Sequence, residues 1–463
     1  MMILGFISDL NVTGSIFLLL CIVAVCFYEA INGFHDTANA VATVIYTKTM
    51  KPGFAVVWSG IWNFLGVWAG GIAVAMGLIK MLPLNDLMAH GLAENIVLVM
   101  SILVAAIVWN IGTWYFGIPC SSSHTMIGAL LGGGFAFWTI HGGAGVNWLK
   151  AKDIGLSLLF SPFFGFSMAI ILMYVLRTYV KNKAIFKEPD AKRTPPWWIR
   201  GILVVTCTLV SFFHGSNDGQ KGVGLMLVVL ISFLPMQFAI DNRIPLETVR
   251  NSVTEVKRII YSAAPDSVLD ARSKAIVASA AAVEANLEKV QAGGDKVAVL
   301  DLRKNIQRFV KDLETGIAHD LFKAEDEKRV KTEIRHFKRT YEFAPVWVML
   351  MIAFSLGIGT MIGWKRIVVT IGEKIGKSHL TYAQGASAEM IASMTIGLST
   401  WFGLPVSTTH VLSSGVAGTM VATGGIKNLR KKTIKSIALA WLLTLPVTFI
   451  LAAVFYWLFR MFV

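Results

Sequence analysis

Long apolar segments alternate with short polar ones along most of the chain. About ten of them approach the roughly 20 apolar residues that a membrane-spanning helix needs. Their approximate positions are 14–32, 54–80, 95–113, 124–140 and 153–180 in a first group, and 201–236, 345–364, 385–403, 410–426 and 436–460 in a second. Polar residues interrupt the sixth segment. The pattern predicts an all-α polytopic membrane protein with about 10–12 transmembrane segments, some of them interrupted helices.

A long polar segment, residues 241–344, separates the sixth apolar segment from the seventh. Its stretches 266–292 and 296–337 carry Leu, Val, Ile and Ala at helical spacing among alternating charges, which is the pattern of amphipathic helices outside the membrane. We therefore predict a helical extramembrane insertion, and the number of preceding spans places it outside the cell. Regulation, partner docking and oligomer contacts are all compatible with such helices.

Charged residues make up only 15% of the 463 residues, whereas soluble domains contain about 25%. The net charge of +14 lies mostly in four basic clusters in short loops. They are Lys48 and Lys51; Lys181, Lys183, Lys187, Lys192, Arg193 and Arg200; Lys365, Arg366, Lys374 and Lys377; and Arg430, Lys431, Lys432 and Lys435. Cytoplasmic loops carry such an excess, so we expect the N-terminus outside and no nucleic-acid partner. The first Lys or Arg is Lys48, which favours a retained first span over a cleaved signal peptide.

Two motifs occur twice in the chain. Phe116–His124 (FGIPCSSSH) and Phe402–His410 (FGLPVSTTH) are identical at five of nine positions. Upstream lie two clusters with Gly and Asp, Gly33–Ala40 (GFHDTANA) and Gly215–Gly222 (GSNDGQKG). The aspartate of the cluster and the final histidine are 88 residues apart in the first copy and 192 in the second, and the difference equals the 104 residues of the polar segment. The chain is therefore predicted to consist of two equal halves, the second carrying the insertion.

Each predicted half has five spans, and an odd number makes the second half cross the membrane in the opposite direction. Such inverted-topology repeats are usual in secondary transporters, with the substrate site near the midplane. The predicted regions are 1–180, the first transmembrane repeat; 181–200, a basic cytoplasmic linker; 201–240, the start of the second repeat; 241–344, the insertion; and 345–463, the remainder of the second repeat.

Ionisable residues inside apolar segments are costly and are therefore functional candidates. They are Glu29, His35 and Asp36 in the first half, and His214, Asp218 and Lys221 in the second. Glu29 lies two helical turns before Asp36, on the same face. Nearby glycines are expected to loosen the helices and free backbone carbonyls for a cation. The alternative is close helix packing at small residues.

Each Ser/Thr motif is expected to open a helix, because proline there sacrifices no hydrogen bond and hydroxyls cap the free N–H groups. Such a helix end binds anions, phosphate included. The hydroxyl residues are Ser121, Ser122, Ser123, Ser407, Thr408 and Thr409. Simple capping is the alternative. We expect His124 and His410 to orient their neighbours rather than to carry protons. Together, the paired motifs indicate coupled transport of a cation and an oxyanion.

The paired motifs resemble those of the PiT family of inorganic phosphate transporters over nearly the whole chain outside the insertion. Phe34–Ala40 (FHDTANA) and Asn217–Gly222 (NDGQKG) are similar in detail to its bacterial low-affinity branch. The resemblance implies phosphate uptake driven by a cation gradient across a bacterial inner membrane, without a cofactor. It also implies that Asp36, Asn39, Asn217 and Asp218 join the six hydroxyl residues at the cation and phosphate sites.

The chain departs from the commonest pattern of that family in both clusters, because His35 stands where Asn is usual and Gln220-Lys221 where Ala-Asn is usual. Lys221 places a fixed ammonium where other members bind sodium, and we assign it to the phosphate site with Asn39 and Asn217. The resemblance to the bacterial branch implies proton coupling through Asp36, Asp218, His35 and Glu29. It also implies transport of phosphate as a neutral complex with a divalent metal, for which Asp36 and Asp218 are candidate ligands.

The sequence thus predicts a low-affinity, proton-coupled phosphate symporter that is not an enzyme. Its expected partners are inorganic phosphate and the lipid bilayer, and a homo-oligomer is compatible with the pattern. Sodium coupling and sulfate as the substrate remain alternatives. So do a passive anion channel and a membrane-embedded phosphoryl-transfer enzyme with Asp36 or Asp218 as nucleophile or metal ligand.

Overall fold

The computed structural model describes residues 10–82, 90–143, 145–190, 194–263, 270–362, 368 and 375–462. Within these ranges every regular element is helical, and no strand occurs, which confirms the all-α prediction. The α-helices are α1 (Val12–Tyr46), α2 (Pro52–Ala69), α3 (Ala73–Ile79), α4 (Leu92–Tyr115), α5 (Ser122–His141), α6 (Trp148–Tyr179), α7 (Trp197–Phe233), α8 (Pro235–Phe238), α9 (Leu246–Ala263), α10 (Ala271–Gln291), α11 (Lys296–Ala318), α12 (Ala324–Tyr341), α13 (Val346–Met361), α14 (Tyr382–Trp401), α15 (Thr408–Gly424) and α16 (Lys431–Arg460).

Several of these helices are long and apolar enough to cross a bilayer. In the described part of the chain they are α1, α4, α6, α7 and α16, and the number rises from five to seven if two bent helix pairs each count as one span. This confirms a polytopic membrane protein. The count of 10–12 segments and the opposite orientation of the two halves stay predictions.

The expected helix interruptions at the Gly and Asp clusters are wrong. Helix α1 continues through residues 33–40, and α7 through 215–222. The glycines serve close helix packing instead, since a Cβ at Gly33 would meet the backbone of Leu356 and Thr360 on α13, and one at Gly215 the backbone of Asn63 on α2. Small residues allow such approach between membrane helices. A sharp bend lies elsewhere in the membrane unit, with 71° between α2 and α3.

The chain divides into two compact units, and the larger comprises Ile16–Pro83, Ala93–Val228 and Ala344–Val463. In this membrane unit the helices that begin with the two Ser/Thr motifs pack against helices of the other half. Helix α5 lies on α16, where Gly132 contacts the backbone of Phe449, and α15 lies on α6, where Gly418 contacts the backbone of Phe166. The two halves are therefore packed into one another through equivalent pairs of helices.

The second unit consists mainly of Val229–Phe343, which includes residues 241–343 of the predicted insertion. Helix α10 packs against α11, and the rings of Phe309 and Phe337 lie 5.1 Å apart in a buried core. The predicted helical stretch 296–337 is two helices, because the chain turns after α11 and Asp320 there adopts a φ of 54°. Residues 266–269 of the other predicted stretch lie outside the described residues.

Candidate functional site

The two Ser/Thr motifs have the same local structure. Gly117 and Gly403 follow α4 and α14 with φ values of 65° and 66°, a conformation that glycine adopts without strain. Ser121 and Ser407 then cap α5 and α15, because their hydroxyl oxygens accept the N–H groups of the histidines three residues on, at 3.2 and 3.1 Å. Capping therefore occurs, as the simpler interpretation expected, and binding of phosphate by these two serines stays a prediction.

The Asp36 carboxylate is held by hydroxyl groups from both halves of the chain. Thr409 Oγ1 donates to Asp36 Oδ1 at 2.5 Å, and Ser122 Oγ donates to Asp36 Oδ2 at 3.2 Å. The Asn39 amide also donates to Oδ1, at 3.2 Å. Asp36 is buried, so these donors replace the water that an exposed carboxylate would bind.

The second aspartate is paired with a buried ammonium group. Lys221 Nζ lies 2.7 Å from Asp218 Oδ2, donates to Ser123 Oγ, and donates to the carbonyl of Val406 at 3.3 Å. His214 stands between the two aspartates, with Nε2 3.6 Å from Asp36 Oδ2 and 3.9 Å from Asp218 Oδ2. The carboxylates of the two halves thus share one buried polar cluster.

The cross-half contacts are reciprocal. Asn39 of the first half donates to Thr409 Oγ1 of the second, at 3.0 Å. Lys221, which aligns with Asn39, donates from the second half to Ser123, which aligns with Thr409. Each Gly and Asp cluster therefore binds the Ser/Thr motif of the opposite half.

All thirteen predicted site residues are buried, with no more than 2% of any of them exposed. Seven lie together in the central cluster: Asp36, Asn39, Ser122, Ser123, Asp218, Lys221 and Thr409. The others surround it. Asn217 holds the segment before α15 through Leu404 O and Val406 N, and His35 contacts Thr113. Glu29 accepts from Asn32 at 3.3 Å and packs on Gly222.

The motifs and this geometry can be compared with known proteins. The model of the phosphate transporter family (PHO4) matches residues 32–452. The chain belongs to the phosphate transporter family. A low-affinity inorganic phosphate transporter of Buchnera aphidicola subsp. Acyrthosiphon pisum is 41% identical, over 97% of this chain and 98% of that protein. Escherichia coli PitA, also named a low-affinity inorganic phosphate transporter, is 40% identical over the same shares of the two chains. A solved structure described as the sodium-dependent phosphate transporter covers 96% of this chain and all of its own, with a TM-score of 0.55 and 18% identity, and so shares the fold.

The central cluster also contains His214, which the sequence marks as a functional candidate but to which the predicted binding and coupling sites gave no role. Ligand atoms of Asp36, His214 and Asp218 all lie within 4.8 Å of one another and are buried. Two carboxylates and an imidazole suit a divalent transition metal. The signal was available in the sequence, because His214 lies one helical turn before Asp218 and the Asn/His pair of the first half recurs there in exchanged order.

Proposed function

We propose that this protein is a low-affinity inorganic phosphate transporter of a bacterial inner membrane that works as a secondary active proton symporter. Two relatives, from Buchnera and Escherichia coli, are named low-affinity inorganic phosphate transporters. They are about 40% identical to this chain over nearly their full lengths. The family, the apolar helices and the buried hydroxyl and carboxylate groups support transport of an oxyanion rather than catalysis.

The observation that carries the proton proposal is the position of two hydroxyls on Asp36. Ser122 and Thr409 stand at helix N-termini, where an oxyanion is favoured, yet both donate to the carboxylate. A deprotonated Asp36 therefore competes with phosphate for these donors. Protonation of Asp36 weakens both hydrogen bonds and frees the hydroxyls for phosphate. Binding of a proton and binding of phosphate then favour each other.

The environment of Lys221 supports protons over sodium at the second aspartate. Its ammonium contacts a carboxylate, a hydroxyl and a backbone carbonyl, the oxygen ligands that a hard cation takes. Because the ammonium is covalently attached, it neutralises Asp218 without being transported. The ammonium thus already occupies the position on Asp218 Oδ2 that a sodium ion would take.

The divalent metal is proposed as cargo together with phosphate. A divalent ion and a hydrogen phosphate dianion form a neutral complex, which avoids the cost of moving a net charge through the membrane. Asp36, His214 and Asp218 provide the carboxylate and imidazole atoms that would hold the metal in the step in which Asp36 has released its proton, because a carboxylate ligand must be deprotonated.

The test is phosphate flux in liposomes containing the purified protein, with pH, sodium and divalent-metal gradients imposed separately. We expect a pH gradient, acidic on the side of uptake, to drive accumulation, removal of divalent metal to slow it, and sodium to have no effect. Accumulation that requires sodium and ignores pH contradicts proton coupling. Equal competition by sulfate contradicts phosphate selectivity, downhill flux alone indicates a channel, and release of a phosphorylated product indicates an enzyme.

A further inference from the structure

A polar pocket of about 450 Å³ lies at the surface of the membrane unit, where α14 begins and α15 ends. Among the described residues that line it, Arg177, Lys377 and Lys427 are cationic and Glu188 carries a carboxylate. All four side chains are exposed, and none forms an ion pair with another described residue. The pocket therefore has two positive charges that no carboxylate in the described part of the chain balances.

The corresponding helix ends of the first half are joined by a carboxylate. Glu94, in the first turn of α4, accepts hydrogen bonds from Arg460 Nε at 2.9 Å and from the Tyr456 hydroxyl at 2.8 Å. His141 Nε2, at the end of α5, lies 3.3 Å from the same carboxylate. Glu94 thereby connects α4, α5 and α16.

In the second half this carboxylate is missing. When the two Ser/Thr motifs are aligned, Glu94 corresponds to the buried Leu380, and α14 begins only after that position. Helix α15 also ends early, because its cap Gly425 stands three residues before the position aligned with Gly142, the cap of α5. Arg177 lies in the last turn of α6, which packs on α15 as α16 packs on α5. The pocket lies at these shortened helix ends.

We propose that this pocket binds the phosphate group of inorganic phosphate or of a phosphate monoester. Such a group carries about 1.5–2 negative charges at neutral pH, which matches the unbalanced charge of the pocket. A guanidinium fork beside two ammonium groups is typical of phosphate sites. One N–H of Arg177 donates to Ala422 O at 3.1 Å, which leaves its other donors for the ligand. The bound group takes the place that the Glu94 carboxylate has in the first half.

Two sources provide this chemistry. Free phosphate or a soluble ester enters from the water, whereas phosphatidic acid presents the same group at the membrane surface, where basic pockets between helices bind anionic head groups. The group bound here is distinct from the transported anion, because the pocket and the central cluster share no residue.

Acetylation of lysine by an N-hydroxysuccinimide ester reports occupancy, because a bound phosphate group shields the ammonium groups. The full chain is placed in phosphatidylcholine nanodiscs, and the acetylation rates at Lys377 and Lys427 are measured by peptide mass spectrometry. One arm compares inorganic phosphate with chloride at equal ionic strength, and the other adds phosphatidic acid without free phosphate. Lys431 and Lys435 are the internal controls, because they are exposed and lie outside the lining.

Four variants separate the pocket from other effects. Arg177→Gln removes a cation of the pocket, whereas Arg177→Lys keeps the charge. Arg430→Gln is the matched control, since Arg430 is exposed and lies outside the lining. The double variant Ser122→Ala/Thr409→Val keeps the pocket and changes only hydroxyls of the central cluster.

We expect phosphate or phosphatidic acid to slow acetylation of the two pocket lysines several-fold relative to the two control lysines. The effect should persist in Arg177→Lys, in Arg430→Gln and in the double variant, and should diminish in Arg177→Gln. Slowing by phosphate alone identifies a soluble anion as the ligand, and slowing by phosphatidic acid alone identifies a head group. The proposal is overturned by no slowing in either arm, by equal slowing at the control lysines, by an effect that Arg177→Gln leaves unchanged, or by its loss in the double variant.

Discussion

Thr409 donates a hydrogen bond to Asp36 across 2.5 Å, although the two residues are 373 positions apart in the chain. The contact joins the acidic group of one half to the helix N-terminus of the other. A change in the charge of Asp36 therefore directly alters the hydrogen bonding of Thr409 at the N-terminus of α15. The coupling between cation and anion transport can therefore be tested by single substitutions.

Asp36→Asn should abolish proton-driven phosphate accumulation while leaving the protein inserted in the membrane. The amide keeps the shape of the side chain but cannot exchange a proton, so Ser122 and Thr409 remain available to phosphate at every pH. We expect exchange of labelled for unlabelled phosphate to persist in liposomes. Normal pH-driven uptake by this variant would refute the assignment of Asp36.

Ser122→Ala and Thr409→Val should each weaken phosphate binding. Each removes a hydroxyl donor that becomes available to phosphate when Asp36 is protonated. A hydrogen bond to a charged group contributes about 1.5–3 kcal/mol, so KM should rise roughly 10-fold or more. Since both hydroxyls bind the same carboxylate, we expect the double variant to be non-additive. Ser101→Ala is the control, because Ser101 Oγ only donates to Leu98 O within α4. Unchanged KM in both variants would exclude these hydroxyls from the phosphate site.

Lys221→Asn should make the protein responsive to sodium. Without the ammonium, Asp218 keeps a buried charge with no covalently attached partner. Breaking a buried ion pair in this way costs about 3–5 kcal/mol of folding stability. A sodium ion can supply the missing charge, so sodium should raise the thermal unfolding midpoint of this variant. The wild type and the exposed control Lys431→Asn should not respond. A wild type that is itself stabilised by sodium would contradict the role given to Lys221.

Arg303→Ala should destabilise the unit formed mainly by Val229–Phe343. The buried guanidinium donates to Ala239 O at 2.6 Å and lies 6.0 Å over the ring of Tyr341, and burial lowers its pKa to about 10, which leaves it charged at neutral pH. Truncation leaves a cavity and an unpaired carbonyl, which together should lower the free energy of unfolding by about 2–4 kcal/mol. Hydrogen exchange in the full chain should accelerate in α8 and α12. Arg308→Ala, an exposed change on α11, should leave exchange unaltered.

Asp241→Asn should remove part of the acid sensitivity of the same unit. Hydrogen bonds from the Arg243 side chain hold the pKa of Asp241 below its ordinary value. A lowered pKa stabilises the folded state above the unfolded value near 3.8, and this contribution disappears as the pH falls through the folded value. Pepsin should therefore cleave the variant faster than the wild type at pH about 5, with the difference shrinking toward pH about 2. A difference that persists at low pH would assign the effect to something other than this charge.

The sequence carried most of the information about the site, because paired motifs predict pairing in space. The burial of the two aspartates and the helix starts at Ser121 and Ser407 follow from residue type and spacing. The continuity of α1 and α7 does not follow from the sequence. A glycine that loosens a helix cannot be distinguished by sequence from a glycine that lets two helices pack closely, because the difference lies in the neighbouring helix. The reach of Lys221 to Ser123 likewise depends on how the halves pack, which no local pattern specifies.

The packing of α5 on α16 also has a consequence for biosynthesis. Cys120, just before α5, contacts Thr444 of α16 across 324 residues of chain. At bacterial and eukaryotic translation rates this interval lasts roughly 15 to 65 s. During that time the glycine-lined face of α5 has been made but its partner has not. The nascent chain must therefore keep this face against lipid or the insertion machinery, and a chain that is terminated before α16 has a first half that is complete in sequence but unpaired.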